Sequence, residues 1–357
     1  MRRGASSLIS LVAVGALALG LSACSAPKKA GPNGAAVSGT GVGQPSPFLS
    51  ANLTTLSCGP GSLCSAGGTP FESGAATPLL AFSHTAGAKW SPARTSTGAG
   101  ATITSTACAA RRCLAIGVVD ALPLLLSISA SSTTRTWVAA DQPAAGTLLV
   151  VGCAGTSTCV GLARSTSGAL SVVRSTGGPW ATLGAAPADL AAPVRVSCTS
   201  PAVCTALGTS ATGAPVVVIT RDGGADWSLA QISKRATLVL GASCRVDGTC
   251  WVVGRKGSGT LLVRSTRPGA PFAKVLPPEG LATANDVSCA SRTCVVVGAD
   301  ASGTGAAATF SGTSGTSGTS GTILRLSYAP TALLATSCGS ATTCAAVTSA
   351  SLVSLAP

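Results

Sequence analysis

Arg195-Val-Ser-Cys198, five residues, Cys204-Thr-Ala-Leu-Gly208, a turn holding Gly213, Pro215-Val-Val-Val-Ile-Thr220, Arg221-Asp-Gly-Gly-Ala-Asp226 and Trp227-Ser-Leu-Ala-Gln-Ile-Ser233 follow one another along the chain. Four short runs rich in β-branched residues, each bounded by Gly, Asp or Ser, read as four strands joined by tight turns. We name them A to D, with A innermost and D outermost. Such a unit cannot bury both of its faces alone, so it asks for neighbours of the same kind.

The chain supplies them. Fourteen cysteines fall into seven close pairs: Cys58 with Cys64, Cys108 with Cys113, Cys153 with Cys159, Cys198 with Cys204, Cys244 with Cys250, Cys289 with Cys294 and Cys338 with Cys344. Their first members are 50, 45, 45, 46, 45 and 49 residues apart. A fixed period near 45 residues with four strands per unit is the pattern of a propeller blade. The expected fold is therefore all-β, a seven-bladed β-propeller over residues 46–357 with one disulfide per blade. Composition agrees: 46% of the 357 residues are hydrophobic, 9% are charged and 44 are Gly.

Short-spaced thiolates can also bind zinc, but a pair supplies half a tetrahedral shell and His84 is the only histidine. Disulfides are the reading, and no metal is expected. A pair at the end of A and the start of B sits at cross-strand distance, where the Cα window of about 4.4–6.8 Å is met. Five Phe, five Trp and one Tyr give little bulky core, so many small clamps carry stability. Each closes a short loop, at the low end of about 2–4 kcal/mol.

Two irregularities test the scheme. Ser-Gly-Thr repeats replace the C–D turn of repeat six between Ser311 and Thr322, and repeat seven ends at Pro357 without a strand D. Phe48–Leu53 is expected to supply that strand, closing the ring and leaving no open edge.

Between C and D, Thr220-Arg-Asp222-Gly-Gly224-Ala-Asp-Trp227 resembles the Asp-box of sialidase-type (BNR) repeats. Ser83-His-Thr85-Ala-Gly87-Ala-Lys-Trp90 and Ser265-Thr-Arg267-Pro-Gly269-Ala-Pro-Phe272 keep the frame without the Asp, Ser175–Trp180 is a shortened form, and in repeat two Trp137 alone survives. Thr220, Asp222, Gly224 and Trp227 read as scaffold: a short polar side chain binds turn amides, Gly allows positive φ, and the aromatic packs beneath the hairpin.

The N-terminus reads as an address. Arg2 and Arg3, the apolar run Leu8–Leu21 and small residues before Cys24 make an export signal over 1–23. The run is short for a membrane span. Leu21-Ser22-Ala23-Cys24 resembles the bacterial lipobox, which implies lipidation of Cys24 and anchoring to the outer face of the cytoplasmic membrane. Residues 24–45, rich in Gly, Pro and Ser, read as a flexible tether.

Chemistry is hard to find. The sialidase resemblance implies an arginine cluster, a Tyr nucleophile with a Glu partner and an acidic proton donor, yet Tyr328 is the only Tyr and Glu72 and Glu279 the only Glu. His84 lies in a turn, which leaves no triad. No cofactor motif occurs. The expectation is no enzyme and no cofactor.

The formal charge of +13, thin in density and without interleaved aromatics, does not suggest a nucleic-acid partner. Lys234, Arg235, Arg255 and Lys256 fall in neighbouring connections on the face that carries the D–A and B–C turns, an expected anion or partner patch. The expected function is a non-catalytic binding or scaffold lipoprotein that resembles BNR-type propellers such as the photosystem assembly factors in architecture only, and that engages a protein or envelope polymer as a monomer. A carbohydrate-binding or glycoside-hydrolase-like propeller is the alternative.

Overall fold

The computed structural model describes residues 40–45, 51–70, 79–95, 101–132, 136–232, 236–267, 269–311, 321–326 and 331–357. The signal segment 1–23, Cys24, the stretch to residue 39, residues 48–50, Glu72, Lys234, Arg235, residues 312–320 and Tyr328 lie outside them. Ala36–Pro357 forms one compact unit, a seven-bladed β-propeller.

Blade 4 shows the plan. Strand A (Ala192–Cys198), strand B (Cys204–Thr209), strand C (Pro215–Thr220) and strand D (Ser228–Leu229) pair antiparallel in chain order. B and C are almost wholly buried, as strands covered on both faces must be. Seven hydrophobic clusters fill the molecule, one at each interface between adjacent blades. The aromatics that follow the C–D turns enter these interfaces: Trp90, Trp137, Trp180, Trp227 and Phe272 each join the cluster shared with the preceding blade. A handful of rings thus serves as wedges between blades.

All seven expected disulfides form: Cys58 bonds to Cys64, Cys108 to Cys113, Cys153 to Cys159, Cys198 to Cys204, Cys244 to Cys250, Cys289 to Cys294 and Cys338 to Cys344. Their Cα–Cα distances are 3.9–4.0 Å, closer than the expected window. The reason is geometric. Each pair sits directly opposite on the A–B ladder, and the next rung carries the ladder hydrogen bond, as in Gly59 N–H to Leu63 O and Thr199 N–H to Val203 O. The cysteines therefore occupy a non-hydrogen-bonded rung, where strands approach most closely.

That rung also turns the cysteine N–H away from strand B, toward the open inner edge. Neighbouring blades satisfy it. Cys108 N–H donates to Ser57 Oγ (2.9 Å), Cys289 N–H to Ser243 Oγ (3.1 Å), Cys338 N–H to Ser288 Oγ (3.0 Å) and Cys58 N–H to Ser337 Oγ (2.8 Å). The serine before the first cysteine is thus a stitch between blades, and the last of these bonds joins blade 7 to blade 1.

The ring closes with a chain segment other than the expected one. Thr40–Pro45, read from sequence as tether, pairs antiparallel with strand C of blade 7 (Ser351–Leu355), from Gly41↔Leu355 to Pro45↔Ser351. Of the expected closing stretch Phe48–Leu53, residues 51–53 instead open strand A of blade 1 (Ala51–Cys58). Thr40–Pro45 carries two Gly and one Pro, a composition that hides a strand. The outer edge of blade 7 determines it, since an open edge would leave a row of backbone groups without partners.

Candidate functional site

Strand A bears a β-bulge in blades 1 to 6, four residues before its final cysteine. In blade 7, Leu334 N–H donates to Val347 O while Ala335 takes Val347 as its register partner, the same arrangement. A glycine on strand B makes room for it in several blades: a Cβ on Gly208 would collide with the Ala192 carbonyl oxygen. Bulges re-aim side chains. Here they line up one residue per blade: Thr54, Thr104, Leu149, Val194, Leu240, Asn285 and Leu334.

Six of these seven, all but Leu149, border a central channel of about 860 Å³. The ring is lopsided. Thr54 and Thr104 are polar, whereas Leu149, Val194 and Leu240 make an apolar arc over blades 3 to 5. Val194 is 64% exposed, Leu334 38%, and Leu238, beside the arc, 46%.

One position deeper the ring reads Thr55, Ser105, Val150, Arg195, Gly241, Asp286 and Ala335. It holds the one channel ion pair found among the described residues. Arg195 Nη1 lies 2.6 Å from Asp286 Oδ1, with side-chain exposures of 27% and 1%. The pair spans blade 5, where Gly241 leaves the passage open: a Cβ there would sit 2.5 Å from Asp286 Oδ1. Asp286 also accepts from Thr336 N–H and Val287 N–H (2.8 Å each). Burial pushes its carboxyl up from the ordinary carboxylate range, and the Arg195 charge and these amides pull against that. Both carboxylate oxygens are engaged, Oδ1 by Arg195 and Val287 N–H and Oδ2 by Thr336 N–H.

Two residues of the expected patch, Arg255 and Lys256, are described. Lys234 and Arg235 lie outside the described residues. Arg255 and Lys256 end strand B of blade 5 (Cys250–Lys256), and consecutive strand residues point to opposite faces. Arg255 borders the channel and donates to Asn285 Oδ1 (3.4 Å), while Lys256 is exposed. Asn285 Nδ2 donates in turn to Leu333 O (2.8 Å).

The Thr220–Trp227 turn is held by hydrogen bonds among its own residues. Thr220 Oγ1 donates to Asp222 Oδ1 (2.7 Å) and accepts from Gly224 N–H (2.9 Å); Asp222 accepts from Asp226 N–H (3.0 Å); Trp227 Nε1 donates to Gly224 O (3.1 Å). Gly223 and Gly224 have φ of 79° and 102°. Desolvation works to raise the Asp222 carboxyl, but the amide of Asp226 and the Thr220 hydroxyl outweigh it and hold it below the ordinary range. In blade 1, Thr85 Oγ1 replaces the carboxylate and accepts from Lys89 N–H (2.8 Å). His84 packs edge-on against Phe82, centroids 4.5 Å apart. Among the described residues no group of three His, Cys, Asp or Glu is placed to hold a metal ion.

The residue types at the equivalent positions of both inner rings, though not their contacts, were within reach of the sequence. Aligning the repeats on their first cysteine and reading the columns three and four residues earlier exposes the Arg–Gly–Asp alternation over blades 4 to 6 and the apolar arc.

Comparison with known proteins bears on this architecture. No family model matches the chain, and no curated protein matches it. Solved structures do. YCF48 from Cyanidioschyzon merolae superposes with a TM-score of 0.58 at 13% identity, covering 88% of this chain and 98% of that one. YCF48 bound to a D1 peptide gives 0.56 at 13% identity, over 87% and 94%. The BP39L lectin from Burkholderia pseudomallei gives 0.51 at 13% identity, over 85% and 94%. The likeness is one of fold. These neighbours are β-propellers, among them a peptide binder and a lectin.

Proposed function

We propose that this chain is a non-catalytic binding or scaffold lipoprotein, held through Cys24 to the outer face of the cytoplasmic membrane, which engages a protein partner at the channel mouth. The observation that carries the reading is the mouth ring. Exposed Val194, Leu238 and Leu334 stand around a concave opening with the Arg255 guanidinium just inside, Arg195 being paired with Asp286. Apolar surface beside fixed positive charge suits a peptide segment presenting an apolar side chain next to an acidic group. The fold neighbour solved with a D1 peptide supports a peptide occupant. The seven disulfides support an oxidising, extracytoplasmic setting, and no helix among the described residues is long and apolar enough to cross a membrane.

A photoreactive side chain at Val194 tests the partner. A protein cross-linked from that position in intact envelopes, and lost when Leu238→Asp and Leu334→Asp are introduced together, supports the reading. Recovery of glycan alone would replace it with the carbohydrate-binding alternative. Labelling with radioactive palmitate, compared between the native chain and Cys24→Ala, tests the anchor separately.

A further inference from the structure

The two ends of the propeller differ in charge. The end with the A–B and C–D turns, where the disulfides lie, carries an arc of arginines across blades 2 to 6. Arg112 Nη2 donates to Ser175 Oγ of blade 3 (2.8 Å). A Cβ on Gly223 of blade 4 would lie 2.8 Å from Arg174 Nη1 of blade 3. Arg221 reaches from blade 4 to Cys250 Sγ of blade 5 (3.9 Å). Burial depresses the Arg245 guanidinium, Asp247 works against that, and Arg292 and Arg264 add repulsion close by.

Asp222, Asp226 and Asp247 are the carboxylates at this end among the described residues. Asp222 is taken up by turn amides, and Asp247 pairs with Arg245 at 2.9 Å. The opposite end holds Asp120, Asp141, Asp189, Glu279 and Asp300 in its B–C and D–A turns. Among the described residues the disulfide end is therefore the more positive of the two, since Arg164, Arg255 and Lys256 at the opposite end are outnumbered by its acids.

The chain enters the propeller at that same end. Gly41 pairs with Leu355, and Leu355 pairs with Cys344, so Thr40 begins its strand at the disulfide end of the blade-7 ladder. Fifteen residues separate Cys24 from Thr40, and they include Lys28 and Lys29.

We propose that the disulfide face is a docking surface for an anionic phospholipid headgroup layer. The proposal rests on the membrane anchoring proposed above, and it deepens it: docking would orient the channel mouth away from the bilayer, toward its partner. A headgroup layer fits better than an acidic protein because the cations are spread over blades 2 to 6 in a shallow arc, matching many mobile phosphates. A folded partner would need an apolar centre with charges around it.

The test uses the exported chain without acyl groups, residues 1–24 being exchanged for a cleavable secretory signal. Binding to vesicles of phosphatidylcholine alone is compared with binding to vesicles of phosphatidylcholine and phosphatidylglycerol in equal parts. Arg111, Arg267 and Arg292 are exposed, so the triple change to Ser should preserve the fold, checked by circular dichroism. The expected result is binding to the anionic vesicles only, weakened by added salt and by the triple change on the order of a hundredfold, and unaltered by Lys256→Ser on the other face. Equal binding to both vesicle types, no binding, or no effect of the triple change overturns the proposal. Because this chain carries no lipid, such a failure is distinct from failure of palmitate labelling at Cys24.

Discussion

Replacing Arg195 with Ala removes the counter-charge from a carboxylate that is 1% exposed. Unit charges about 4 Å apart attract by about 4 kcal/mol at an effective dielectric constant near 20. Arg195 retains 27% exposure, which screens part of this, while Asp286 keeps its two amide donors. A loss of about 3 kcal/mol follows, at the lower edge of what breaking a buried pair costs. Guanidinium titration with the disulfides intact, read by tryptophan fluorescence, measures it. The pH dependence has a definite sign. Burial raises the Asp286 carboxyl, and the Arg195→Ala change leaves the amides to oppose that. A carboxyl whose folded value exceeds its unfolded one contributes stability that is present below the unfolded value and is lost as pH rises through the folded one. The deficit of Arg195→Ala should therefore shrink as pH falls toward the unfolded carboxylate value of about 3.9. Changing Asp286 to Asn in the same chain should recover part of the loss at neutral pH. A deficit below about 1 kcal/mol, or one independent of pH, would refute the reasoning.

Three further outcomes follow from single contacts. Gly241→Ala places a methyl group 2.5 Å from Asp286 Oδ1 and should cost about 1–3 kcal/mol through overpacking, read by the same titration; a neutral result would mean that the ion pair shifts freely. Ser337→Ala takes the acceptor from Cys58 N–H and should cost about 1 kcal/mol, with faster hydrogen exchange confined to residues 51–58 where the ring closes. Asp222→Ala should lower stability by about 1 kcal/mol or less, given its exposure. Because Asp222 is held below its ordinary value, that difference is present above pH ~3.9 and should vanish as pH falls through the folded value, which thermal melts across the acid range would show.

Repeat number, strand order and disulfide pairing were legible because they are local. A cysteine pair five or six residues apart can close only its own hairpin, as Cys58 with Cys64 and Cys108 with Cys113 do. Likewise, a Thr-x-Asp-x-Gly turn with Trp227 after it binds its own amides wherever it stands. Thr40–Pro45 was not legible, because its strand is dictated by an open edge at the far end of the chain. The face with the D–A and B–C turns was legible from strand order, and the channel mouth lies on it. Which of its side chains reach the channel was not, because pleating sends Arg255 to the channel and Lys256 to the opposite side of one strand.

By itself the sequence determined seven repeats, four-stranded in the first six and three-stranded in the seventh, with their staples and their turns, since each is settled by contacts within one repeat. Tertiary structure alone decided which side chains share a space. Arg195, Gly241 and Asp286 are about 45 residues apart from one to the next, and they meet only because ring closure places equivalent positions of successive blades side by side around one axis.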